Sequence, residues 1–169
     1  FDHVDILVNN AGILRDRSFS NTTEDLWDPV IAVHLKGTYC VTRPVFLHMK
    51  ERAAGGVIIN TSSTSGLNGN FGQCNYGAAK AGVINLTKSM AVCWGPHNIN
   101  VNCIAPGLTA TEGVARWLPA KTQKDGSPVP TLQYPPDPQH VADLAVFLAA
   151  PGSARISGEV FPIRALYEV

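Results

Sequence analysis

The sequence predicts an α/β fold built on a parallel sheet. Short apolar runs alternate with stretches of helical periodicity. Each run closes on small or polar residues that suit a strand end. With 169 residues, 45% of them apolar, the chain can form one domain with a sizeable core.

The first run, Ile6-Leu7-Val8-Asn9, is stopped by Asn10-Ala11-Gly12 and predicts a buried parallel strand over 5–9. Polar residues 15–23 predict a loop. Thr22 or Thr23 can cap a helix over 24–52, whose early acids Glu24, Asp25 and Asp28 suit the N-terminal dipole. Pro44 inside it predicts a kink or break. Val57-Ile58-Ile59-Asn60-Thr61 predicts the second strand, and Ser, Thr, Gly and Asn predict a loop over 62–72. Val83, Leu86, Met90 and Ala91 fall at helical spacing, so a helix is expected over 75–94, stopped by Gly95-Pro96. A third strand is expected over 100–105, closed by Pro106-Gly107.

Residues 119–138 differ from the rest. They hold Pro119, Pro128, Pro130, Pro135, Pro136 and Pro138, so they read as a linker or a functional lid. Asp137 then caps a helix with Pro138 at its first position, and a last strand is expected over 157–163. Four strands and three helices make half of a doubly wound parallel sheet. The first strand is apolar on both faces, as in a sheet centre, so the sequence predicts a partner strand encoded upstream and missing here.

Charge and composition narrow the function. Lys plus Arg equals Asp plus Glu, at 13 each, which disfavours nucleic acid or anionic membrane as partner. No apolar stretch has the length of a membrane span, and Phe1-Asp2-His3-Val4-Asp5 lacks the character of a signal peptide. Cys40, Cys74, Cys93 and Cys103 have neither redox nor zinc spacing, so reduced thiols and no metal site are expected. The sequons at Asn21, Asn60 and Asn85 read as chance. A cytoplasmic protein is expected, peroxisomal if the source is eukaryotic.

The chemistry centres on Tyr76-Gly77-Ala78-Ala79-Lys80. A four-residue step puts Tyr76 and Lys80 on one helix face. An ammonium beside a phenol favours the phenolate, and such a tyrosine can exchange a proton with a carbonyl or alcohol oxygen. Alone, the pair is as readily a solvated one. Ser63 lies 13 residues upstream, just past a strand, where its hydroxyl can bond the same oxygen. Ser63, Asn10 and Pro106 all fall at carboxyl ends of strands, where open α/β sheets bind ligands.

Asn9-Asn10-Ala11-Gly12, Ser62-Ser63, Tyr76 to Lys80, and Pro106-Gly107-Leu108-Thr109-Ala110-Thr111 together resemble the short-chain dehydrogenase/reductase family, in its order and spacing over nearly the whole chain. The resemblance implies the C-terminal part of a Rossmann fold, with residues 1–169 one partial domain and 119–138 its substrate lid. It implies NAD or NADP as cofactor and a small-molecule substrate. Tyr76 would be the acid–base group, Lys80 would hold the nicotinamide ribose, and Ser63 would orient the carbonyl. Asn10, Ala11, Gly12, Tyr76, Lys80, Pro106, Gly107, Thr109 and Thr111 would line the cofactor cleft. A homodimer or homotetramer is implied, through the helices that hold His34 and Tyr76.

Two features qualify the resemblance. Where the family has a catalytic Asn at a helix distortion, this sequence has His34, which could join a proton relay or simply fill the site. The Gly-rich pyrophosphate turn has no counterpart here, so this piece alone is expected to be inactive. Val33-His34-Leu35-Lys36-Gly37 and Gly69-Asn70-Phe71-Gly72-Gln73 resemble the (3R)-hydroxyacyl-CoA dehydrogenase domains of peroxisomal multifunctional enzymes and their bacterial relatives. That implies an acyl thioester substrate. The 3-oxoacyl-acyl-carrier-protein reductases share most of these motifs and stay open as an alternative, as does a non-catalytic paralogue acting by association. Leu118, Leu132 and Tyr134 are expected beside an acyl chain. Trp27, Trp94 and Trp117 are expected in packing.

Overall fold

A computed structural model describes residues 2–166. Four parallel strands, β1 (Ile6–Asn9), β2 (Gly56–Thr61), β3 (Ile99–Pro106) and β4 (Val160–Ile163), lie in the order β1-β2-β3-β4. The register pairs Asn9 with Asn60, and Asn60 with Cys103, so the carboxyl ends of β1, β2 and β3 lie side by side. Between strands run α1 (Glu24–Ile31), α2 (Gly37–Arg52), α3 (Thr64–Asn68), α4 (Cys74–Trp94) and α5 (Pro138–Ala149).

The side-chain period of two in β2 divides the core. Ile58 turns toward Met49 of α2 and Met90 of α4, joined by Val101 of β3. Ile59 turns the other way, into a cluster with Ile104 and Leu148 of α5. Helices thus cover both faces, as a parallel sheet requires. No helix among the described residues is long and apolar enough to cross a membrane.

Buried polar groups fix the helices to the sheet. The Asn9 amide donates to Thr42 Oγ1 of α2 (2.7 Å) and to Asn60 Oδ1 (2.8 Å). Asn60 donates in turn to Thr87 Oγ1 of α4 (2.9 Å). Asn60 is fully buried, which also removes its sequon from any modifying enzyme in the folded state.

Three expectations change. Helix α2 continues through Pro44 without a break. The carbonyl that Pro44 leaves unbonded belongs to Cys40 on the exposed face, where water can satisfy it. The irregularity falls earlier, as one wide π-turn over Ala32–Lys36. The segment 62–72 is not all loop, because Ser63 caps α3 by accepting the Ser65 N–H (3.1 Å). Strand β1 lies at the edge of the described sheet, and its apolar Ile6 and Val8 are half exposed there. Trp117 is largely exposed beside Arg116 instead of packed, while Trp94 stacks on Phe46 at 4.0 Å.

Replacing Asn60 by Ala takes one of two partners from the half-buried Asn9 amide and removes the donor to Thr87. We expect a loss of about 1–3 kcal/mol, the cost of an unsatisfied buried group, read from the urea midpoint of the full-length protein. A parental midpoint would remove the network from the account.

Candidate active site

The parallel ends of β1, β2 and β3 open into a cavity of about 490 Å³. Ser63, Tyr76, Lys80 and His34 all line it, together with Asn10, Gly12, Pro106 and Gly107. Four of the predicted catalytic side chains and four of the cleft residues therefore meet in one place. Ala11, Thr109 and Thr111 do not line it. Ala11 is exposed, Thr109 folds back onto the Gly107 carbonyl (3.1 Å), and Thr111 leads a short helical turn over Glu112–Trp117.

Lys80 is 4% exposed. Its ammonium donates to the Thr61 carbonyl at the end of β2 (2.6 Å), while the Ser62 hydroxyl donates to the Lys80 carbonyl (2.8 Å). Helix α3 lies so close that a Cβ on Gly66 would come within 2.7 Å of the Lys80 carbonyl carbon. Burial pushes the ammonium down to about 8. An ammonium has three donors and this one has a single protein acceptor among the described residues, so donors remain for a ligand. That suits the paired hydroxyls of a ribose. The groups present thus fit the nicotinamide end of a dinucleotide, with two glycines, Gly12 and Gly107, at the cavity wall.

Tyr76 stands one turn earlier on α4, its ring centroid 5.6 Å from Lys80 Nζ. The spacing predicts a phenol pulled down by that ammonium, and the structure differs. Burial raises the phenol above its ordinary value, and the Ser63 hydroxyl beside it draws it only partly back. Tyr76 is accordingly held as a neutral phenol, an acid with a proton to give. The contact with Lys80 runs through the ring, so the spacing alone misjudged which effect dominates.

His34 is buried on the π-turn, edge-on to the Tyr76 ring at 5.1 Å and 86°. Its Nε2 faces both the carbonyl (2.8 Å) and the N–H (3.1 Å) of Ile13, and can serve one at a time. Its Nδ1 has no partner among the described residues. A Cβ on Gly12 would sit 2.5 Å from the ring, so only glycine lets the strand turn pass His34. Burial, and then the Lys80 charge, push its pKa down and keep it neutral. It is wedged between Tyr76 and the backbone after β1, with no proton acceptor beyond Ile13 among the described residues.

Sequence reasoning missed Asn75, which is fully buried. Its amide donates to the carbonyls of Arg15 (3.0 Å) and Leu26 (2.9 Å), and its Oδ1 accepts the Tyr76 N–H (2.7 Å). The Gln73 amide likewise holds Asp16 (2.8 Å). These bonds fasten the loop 15–23 to the start of α4. A polar residue one place before a motif tyrosine gives no signal of this in sequence.

The family model for short chain dehydrogenases matches residues 1–122. An acetoacetyl-CoA reductase of Acinetobacter sp. (strain RA3849) is 41% identical over 160 residues, 95% of this chain and 64% of that protein. A 3-oxoacyl-[acyl-carrier-protein] reductase FabG of Thermotoga maritima is 42% identical over 165 residues, 96% of this chain and 65% of that protein. A peroxisomal multifunctional enzyme type 2 of Mus musculus is 48% identical over 116 residues, 68% of this chain and 16% of that protein. The chain belongs to the short-chain dehydrogenase family. It spans less than two thirds of the length of each of these relatives.

The depressed Lys80 value sets a pH dependence of stability. Its folded pKa of about 8 lies below the unfolded 10.5, so the folded state binds fewer protons between them. The cost of burying the charge is full below pH 8, shrinks above it and is gone above 10.5. We expect Lys80→Met to exceed the parent most in Tm below pH 8, the gap closing towards pH 10.5. A gap constant across that window would mean Lys80 titrates normally.

Proposed function

We propose that the protein is an NAD(P)-dependent oxidoreductase that interconverts a secondary alcohol and a ketone, acting on 3-hydroxyacyl or 3-oxoacyl thioesters. The observation that carries this reading is the shared cavity of Ser63, Tyr76 and Lys80 at the carboxyl ends of the strands. Relatives named for acetoacetyl-CoA, (3R)-3-hydroxyacyl-CoA and 3-oxoacyl-[acyl-carrier-protein] support the substrate class.

A nicotinamide cofactor, when bound, supplies or takes up the hydride. Lys80, Asn10, Gly12, Pro106 and Gly107 would hold it, and Ala11, Thr109 and Thr111 belong to the same cleft by resemblance only. In the reductive direction Tyr76 donates its proton to the carbonyl oxygen as charge develops there. Ser63 donates a hydrogen bond to that oxygen and orients it. Lys80, while protonated, favours the phenolate that Tyr76 leaves behind. In the oxidative direction Tyr76 is the base. We read His34 as a positioning residue that holds Tyr76 against the turn after β1, in place of the relay.

Self-association belongs to the same reading. A largely apolar groove of about 350 Å³ runs between α2 and α4, with Arg43 and Ser89 also in its lining and exposed Tyr39 and Leu47 at its side. We place the working protein, as a homodimer or homotetramer, in the cytosol or, in a eukaryote, the peroxisome.

The test is NAD(P)H oxidation by the full-length protein with acetoacetyl-CoA. Tyr76→Phe is expected to lower kcat by about 10²- to 10⁴-fold, the usual share of general acid catalysis. Ser63→Ala removes one donor to the developing oxyanion and is expected to cost about 10²-fold or more. Retained turnover in Tyr76→Phe would remove the phenol from the mechanism.

A further inference from the structure

Past the catalytic cavity lies a second one of about 740 Å³, under residues 119–138. The two adjoin through a smaller pocket. Gly107 lines both the catalytic cavity and that pocket, and Arg164 lines both the pocket and the second cavity. A Cβ on Gly107 would touch the Arg164 Cβ at 3.0 Å, so the arginine stem rises directly from the edge of the catalytic cavity.

The covering segment is tied down. Its tip is a small hairpin, with Val129 N–H donating to Lys121 O (2.9 Å) and Gln123 N–H to Ser127 O (2.7 Å). The Ala110 N–H donates to Pro136 O (2.9 Å), and Leu166 N–H to Leu132 O (2.6 Å). Leu118, Leu132 and Tyr134 supply apolar wall. Lys121 and Arg164 supply two cations, both exposed.

Neither cation has a carboxylate partner among the described residues. The cavity's acid, Asp137, is committed elsewhere: its carboxylate accepts the Gln139 N–H (2.8 Å) as the cap of α5. The cavity therefore carries net positive charge at a solvent-facing rim, above apolar walls. An acyl chain would use the walls and leave the cations idle. A tether with alkyl stretches between its amides, ending in phosphate, uses both.

We infer that Arg164 and Lys121 are specificity-determining residues that bind the phosphate of the substrate's thioester-bearing arm, with Leu118, Leu132 and Tyr134 against its alkyl stretches. This rests on the thioester reading above. The phosphate is the chemistry shared by a coenzyme A thioester and a phosphopantetheinyl carrier protein. Exposed cations at a rim also steer an anionic substrate inward, an effect that salt screens.

The test compares three acetoacetyl thioesters in the full-length protein: coenzyme A, acyl carrier protein and N-acetylcysteamine, which has no phosphate. In the parent, kcat/KM should favour the phosphate-bearing substrates. Arg164→Ala and Lys121→Ala should each cut that preference by about five-fold, as expected for one exposed charge pair. Arg164→Lys should restore most of it, and added salt should erode it in the parent more than in Arg164→Ala. A loss shared by both phosphate-bearing substrates assigns the phosphate to the arm they have in common. A loss confined to acetoacetyl-CoA would trace to its nucleotide phosphates and overturn the assignment to the shared arm. Equal losses on all three thioesters would overturn the inference, and so would an intact preference in both alanine variants. Parental turnover of none of the three would instead sink the thioester reading, and the inference with it.

Discussion

The site depends on a reciprocal stitch between the end of β2 and the middle of α4. Lys80 gives its ammonium to the Thr61 carbonyl, and takes the Ser62 hydroxyl on its own carbonyl. Burying an ammonium is costly unless it is paired, and here one short hydrogen bond meets only part of its need. The fold bears that cost because neighbouring packing leaves the side chain nowhere else to go. Gly66 brings α3 flush against α4, and Gly77 lets the Ser65 carbonyl within 3.2 Å of where its Cβ would stand. The group that strains the fold is therefore the group with donors to spare for a ligand.

His34 makes a second link, between α4 and the turn that follows β1. A regular helix would present the next turns of α1 and α2 in unbroken register. The π-turn over Ala32–Lys36 shifts that register and carries the imidazole toward Ile13, while Thr38 Oγ1 donates to the His34 carbonyl (2.7 Å). Beneath it the Asn9–Asn60–Thr87 chain holds β1, β2 and α4 at fixed spacing. Tyr76 is thus bounded by His34 on one side, by Lys80 beneath and by Asn75 at its own backbone. With three independent restraints the phenol needs no salt bridge to be oriented.

The parts legible in sequence were those set by period and by strand ends. Apolar runs located all four strands, and Gly95-Pro96 located the end of α4. The spacing of Tyr76, Lys80 and Ser63 located the cavity, because strand ends in a parallel sheet lie together. What stayed hidden depends on contacts between residues far apart in the chain. The resemblance implied a helix distortion at His34, but nothing local in Ala32–Lys36 distinguishes a π-turn from an α-turn, and Pro44 suggested a break that does not form. The direction of the Tyr76 shift needs the burial around it, which an i, i+4 spacing does not contain. Thr109 and Thr111 matched a motif, yet the chain turns away at Gly107.

Arg164 shows why recognition is harder to read than catalysis. In the proposed reaction Ser63, Tyr76 and Lys80 serve one oxygen and one proton, which calls for a narrow geometry, and rigid elements with buried restraints provide it. A tether can be held at several points along its length, so its contacts tolerate side chains on loops and at strand ends. Lys121 sits at the open end of a small hairpin and Arg164 one residue past β4, and neither falls in a periodic pattern. Chemistry at strand ends with recognition on the covering segment lets one fold keep its reaction while its substrates change. On that division, residues 119–138 and the chain after β4 are where substrate preference would shift without disturbing Tyr76.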